Sequence, residues 1–153
     1  MKDDAYFMNE AIKEAKKALL IDEVPIGCVI VKDDKVIARC HNTKEKDKLV
    51  ISHAEINAIK KASKKEDAWR LVDCTLYCTL EPCLMCAGAI YQSRIKRVVY
   101  GTEDLKGGAF GSSINLLKIE RLNHYPEVTP YVLKEECSSL LKEYFKGKRN
   151  KNK

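Results

Sequence analysis

Apolar residues recur at helical spacing near the start of the chain: Phe7, Met8, Ala11, Ile12, Ala15 and Leu19, with lysines between them. That spacing predicts an amphipathic helix over residues 5–20. Val24-Pro25-Ile26-Gly27 interrupts it. Cys28 to Val31 then reads as a strand, Lys32 to Lys35 as a turn, and Val36 to Cys40 as the returning strand of a hairpin. Asn42 to Ser52 reads as a polar loop and Ala54 to Ala62 as a helix. Thr75 to Leu80 alternates as a strand, with Leu76, Cys78 and Leu80 on one face. Pro82 is expected to open a helix that runs to about Gln92, because a first helical position needs no N–H partner. A short strand from Arg97 to Tyr100, a Gly-rich loop from Leu105 to Ser113, a weaker strand from Val128 to Leu133 and a closing helix from Lys134 to Phe145 follow. Strands alternating with helices predict an α/β protein: a three-layer α/β/α sandwich on a mixed, mostly parallel five-stranded sheet.

No internal repeat or Pro/Gly-rich linker divides the 153 residues, a length that suits one domain. We expect that domain over residues 1–146, followed by a basic tail at 147–153. The chain is 45% hydrophobic and 33% charged, an ordinary globular composition. No run of about 18 apolar residues is present, so no transmembrane helix is expected. Met1-Lys2-Asp3-Asp4 is followed by no long apolar region, so a secretory signal is not expected and a cytoplasmic protein is. The formal charge of +6 is concentrated at the end: without the five basic residues from Lys146 to Lys153 it falls to +1. Such an end either solubilises a frayed terminus or meets nucleic-acid phosphates.

Seven cysteines without a secretory signal argue against a disulfide framework and for metal or catalytic use of some of them. Two motifs stand out, His53-Ala54-Glu55 and Pro82-Cys83-Leu84-Met85-Cys86, each at an expected loop-to-helix junction. Cys83 and Cys86, three apart, share one face of a first helical turn, where unsatisfied N–H groups favour thiolates. With His53 they make a three-ligand set for zinc and leave the fourth position to water, whose pKa can fall to about 7. With His53 just outside the helix, Glu55 can face that water and move protons without ligating the metal. A lone Cys-x-x-Cys also fits a redox pair, which would prefer a thioredoxin-like context that this sequence lacks, or half of a structural zinc knot, which could recruit Cys74 and Cys78 but gives Glu55 no role. Cys28 and Cys78 read as small core residues; Cys40 and Cys137 carry no assigned chemistry and suit packing, and Cys74 is unassigned.

His-x-Glu followed by Pro-Cys-x-x-Cys is the signature of zinc nucleobase deaminases. The chain resembles the bacterial tRNA-specific adenosine deaminases over nearly its whole length. The likeness rests on Glu23-Val24-Pro25-Ile26-Gly27, His41-Asn42, Thr79 to Ala89, Ser93 to Gly101, Lys106-Gly107-Gly108, Gly111-Ser112, Leu116-Leu117, Asn123-His124 and Glu136-Cys137. The resemblance implies the cytidine-deaminase-like fold, a homodimer, and hydrolytic conversion of adenosine to inosine at the first anticodon position of tRNA. It implies one Zn²⁺ per subunit on His53, Cys83 and Cys86, Glu55 as the proton shuttle, and Asn42 and Ala54 as substrate contacts. It also suggests RNA contacts from Lys106, Phe145 and Arg149. Asn42 also suits a turn or strand end, and Phe145 equally suits core packing. Arg94 and Arg97 fit either stem phosphates or surface and interface roles. The chain departs from the family at Leu49-Val50-Ile51-Ser52, where a polar lead-in is common, and at Cys28 and Cys78, which replace apolar residues. An anticodon loop is a sensible substrate, since a base paired in a helix must first be flipped out. Two other functions fit the zinc motifs: a small-molecule deaminase of the guanine or cytosine type, and a non-catalytic zinc-stabilised RNA-binding module.

Overall fold

The computed structural model describes residues 1–151, with side chains as far as Arg149. Helix α1 (Asp4–Leu19) leads into strands β1 (Gly27–Lys32) and β2 (Lys35–His41), a one-turn helix α2 (Lys44–Asp47) and helix α3 (Ala54–Glu66). Strand β3 (Thr75–Leu80), helix α4 (Leu84–Gln92), strand β4 (Arg97–Thr102), strand β5 (Glu127–Thr129) and helix α5 (Lys134–Lys151) complete the order. The five strands form one sheet in the order β2-β1-β3-β4-β5. β1 pairs antiparallel with both β2 and β3, while β3–β4 and β4–β5 are parallel. The sheet is therefore mixed, with the parallel half on the side that carries the α4 crossover.

Strand alternation sorts the core into two layers. Cys28, Ile30, Leu76, Cys78, Val98 and Tyr100 face Ala54, Ala58 and Ala62 of α3 and Ala87 and Ile90 of α4. Val29, Val31, Tyr77 and Val99 face Phe7, Met8, Ala11 and Ile12 of α1 and Cys137 of α5. Three alanines four apart let α3 lie close on the sheet. On the opposite face Gly27 does the same for α1, since a Cβ there would sit 2.0 Å from the Ala11 carbonyl oxygen.

The remaining differences from the sequence reading have local causes. Leu19 lies outside the buried stripe of α1, 40% exposed, and Glu14 is buried instead. Pro82 does not open α4; Cys83 is its extended N-cap, so the helix starts at Leu84. β5 stops at Thr129 because Pro130 has no N–H for the ladder, and Tyr131 and Leu133 turn to positive φ. The loop from Asn42 to Ser52 contains α2, whose Glu45 and Lys46 amides are held by the Glu23 carboxylate at 3.0 and 2.7 Å. α5 continues past Phe145 to Lys151. Lysine and arginine are good helix formers, and Lys148 is tied to Asp22 at 2.7 Å.

Asp4, the first residue of α1, fastens the N-terminus to the sheet. It accepts from the Tyr77 hydroxyl at 2.7 Å and from both terminal nitrogens of Arg97 at 2.7 and 3.0 Å. The Arg97 hydrogen bonds hold its carboxyl below the ordinary aspartate value. A group with a depressed folded-state pKa stabilises above its unfolded pKa, about 4 for aspartate, and loses that stabilisation as pH falls through the folded value. Asp4→Asn is expected to cost about 1–2 kcal/mol at pH 7, the range for a charged hydrogen bond that is partly exposed. In urea titrations the difference from wild type should shrink below about pH 4.

Candidate active site

His53 and Cys83 occupy equivalent positions: each is the extended N-cap of its helix, α3 and α4 respectively. Neither side chain caps its own helix, so both are free to turn toward each other. Cys86 stands in the first turn of α4. The His53 Nδ1 lies 3.6 Å from the Cys83 sulfur and 3.5 Å from the Cys86 sulfur. All three donor atoms lie within 4.8 Å of one another, and among the described residues the cluster stops at three. A tetrahedral zinc with bonds of about 2.3 Å to sulfur and about 2.05 Å to nitrogen separates the two ligand types by about 3.6 Å. The donors are thus already spaced for that ion.

Electrostatics agree with the donor chemistry. Hydrogen bonding from Cys86, then from His53, brings the Cys83 thiol down to about 4. Cys86, donating to Cys83 and buried, is pushed up, and the hydrogen bond with Cys83 raises His53. A divalent cation taking both sulfurs displaces the remaining proton. Glu55, 4% exposed, is the second residue of α3. The charges of Cys83 and His53 act on its carboxyl in opposite senses. Burial pushes it above the usual carboxylate value. Glu55 therefore adjoins the three donors without being one of them.

Asn42 directly follows β2 and is 5% exposed. Its backbone N–H donates to Ile26, but its side chain makes no hydrogen bond with any described residue. The adjoining chain is tied to α3: Asn57 donates to the His41 carbonyl at 3.1 Å and to the Thr43 hydroxyl at 2.9 Å. Ala54 is fully buried at the start of α3. Lys106 and Phe145 line one cleft of about 520 Å³, together with Leu80 and Leu141. Phe145 is 47% exposed, which removes the core-packing alternative, and Arg149, one turn further along α5, is exposed too. Arg97 is engaged by Asp4, and Arg94 donates to the Tyr91 and Gln92 carbonyls.

Three buried carboxylates that organise this region have no assigned role in the sequence reading: Glu14, Glu23 and Glu81. Glu14 pairs with Lys17 and His41. The available signal was an acid beside obligately apolar or proline positions, as in Glu23-Val24-Pro25 and Leu80-Glu81-Pro82.

A family model for the MafB19-like deaminases matches residues 1–149. The tRNA-specific adenosine deaminase of Bacillus subtilis is 50% identical over 153 residues, covering 100% of this chain and 95% of that protein. A solved structure from a study of tRNA:A34 deaminases editing A to I at the wobble position superposes with a TM-score of 0.86. It is 42% identical and covers 89% of this chain and 99% of that one. Guanine deaminase from Bacillus subtilis is more distant, with 31% identity, a TM-score of 0.64 and coverage of 78% and 87%. With its three soft donors, its buried glutamate and this agreement from end to end, the chain belongs to the MafB19-like deaminases and, among them, to the family of tRNA-specific adenosine deaminases.

Proposed function

We propose that the protein hydrolyses the 6-amino group of adenosine at the first anticodon position of tRNA, consuming water, releasing ammonia and leaving inosine in the tRNA chain. The observation that carries this reading is the cluster of His53, Cys83 and Cys86 beside a buried Glu55 that is not part of the donor set. His53 Nδ1 and the two sulfurs would hold Zn²⁺, which when bound acts as a Lewis acid and eases deprotonation of water. Glu55 accepts one proton of the attacking water and delivers it to the ring nitrogen beside the reacting carbon; it then takes the proton of the newly formed hydroxyl and passes it to the amino group, which leaves as ammonia while the carbonyl forms. Asn42, buried with an unspent amide, offers both a donor and an acceptor to the extruded nucleotide. The start of α3 at Ala54 forms the wall behind it.

The working unit in this reading is a cytoplasmic homodimer gripping an anticodon stem-loop. No helix among the described residues is long and apolar enough to cross a membrane. Phe145 suits stacking on a loop base, worth about 1–3 kcal/mol, while Lys106 and Arg149 suit phosphates. The basic tail at 147–153, of which residues 152–153 lie outside the described residues, would add to that contact.

Inosine formation on an anticodon stem-loop, compared with turnover of free adenosine, cytidine and guanine, tests the substrate. Stem-loop turnover should dominate, and faster turnover of a free base would overturn the RNA assignment. Glu55→Ala should keep zinc and RNA binding while deamination falls at least about 100-fold, the range for a lost general base. Retained activity would remove Glu55 from the chemistry. Cys83→Ala and Cys86→Ala should each lose zinc, measured by metal analysis; full zinc content in either would refute the ligand set. Asn42→Ala should retain zinc and lower kcat/KM about tenfold, since a buried polar group of the substrate is left without its partner.

A further inference from the structure

Glu81 is 2% exposed at the end of β3, two residues before Cys83. A buried carboxylate is costly unless its lone pairs are filled. All the partners it finds come from one segment, the irregular chain after β4. The amides of Asp104, Phe110 and Ser112 donate to it at 3.1, 2.9 and 3.3 Å, and the Ser112 hydroxyl donates as well. Its own amide is anchored on the Thr102 carbonyl at 2.9 Å. Gly108 makes the approach possible, because a Cβ there would lie 2.3–2.5 Å from the carboxylate atoms of Glu81. The same segment lies along the Cys83 backbone: Gly108 bridges Cys83, and the Ala109 amide donates to the Pro82 carbonyl at 2.9 Å. Lys106 lies within it.

We propose that Glu81 is a positioning residue, whose carboxylate gathers residues 104–112 into a fixed wall against Cys83 and so presents Lys106 to the substrate. The role follows from direction: one acceptor group collects donors spread over nine residues of chain that no strand or helix organises. This inference rests on the deaminase reading above for the consequence at the substrate, but not for the consequence on the segment itself.

The test uses the zinc-loaded full chain. Glu81→Gln replaces an acceptor oxygen with a donor, and Ser112→Ala removes one partner without touching the core. In Glu81→Gln, amide hydrogen exchange over 104–112 should quicken about tenfold or more while α3 and α4 keep their protection, as expected for losing about one charged hydrogen bond. Zinc content should stay at the wild-type level. KM for the stem-loop should rise about tenfold with kcat nearly unchanged, because substrate grip is lost rather than proton transfer. Ser112→Ala should show the same pattern at about threefold, and it carries the test alone if Glu81→Gln does not fold. Lower thermal stability with wild-type exchange over 104–112 and wild-type KM would make Glu81 a core residue only and overturn the proposal. If wild-type protein fails to convert the stem-loop, the RNA reading falls, and the exchange measurement still decides whether Glu81 holds the segment.

Discussion

Two helix beginnings meet at one point, and the rest of the structure serves that meeting. An α-helix starts with N–H groups that lack carbonyl partners and with the positive end of its dipole, so it suits thiolates and other electron-rich donors. α3 and α4 each place a metal-type donor at the N-cap, and neither uses that side chain to satisfy its own helix. The result is an imidazole nitrogen 3.5–3.6 Å from two sulfurs, with a carboxyl beside them that is one helical position inside the first turn. A shift of either helix by a fraction of a turn would separate the donors. The small residues of α3, which seat it closely on the sheet, are therefore as much a part of the site as the donors themselves.

Regular hydrogen-bond ladders do not reach the chain around the donors. That chain is held by side chains instead: Glu23 binds the amides of α2, Asn57 binds the end of β2, and Glu81 binds the segment after β4. Each is a polar group near or inside the core, acceptable there only because backbone donors or acceptors fill its valences. The same device explains how loops that differ in length and composition can be as well placed as strands. It links fold to chemistry, since the substrate must be received by loops while the metal donors sit on helices.

The elements with strong periodicity were readable at once. α1, the β1–β2 hairpin, β3 and the start of α3 follow the expected bounds within a few residues, because their burial patterns are written directly in the side chains. The metal donors were equally readable, because only a few residue types bind zinc and their spacing suits a helix turn. Elements whose form depends on a distant partner were not. α2 is four residues long, has no buried side chain and is capped from Glu23, more than twenty residues earlier. The end of α5 gains its hold from Asp22 at the far end of α1. β5 ends at Thr129 although the apolar run continues to Leu133, because Pro130 cannot donate to the ladder.

Residue type and local period alone therefore determined the element order, the α/β class, the three donors and the neighbouring glutamate. They did so because amphipathic spacing and metal affinity are properties of short stretches of chain. Only the tertiary structure decided that His53 and Cys83, thirty positions apart, lie within touching distance, and that Glu81 spends its charge on the chain after β4. Those facts depend on the antiparallel placing of β1 beside β3 and on the crossover of α4, which set distances between segments that no local pattern encodes.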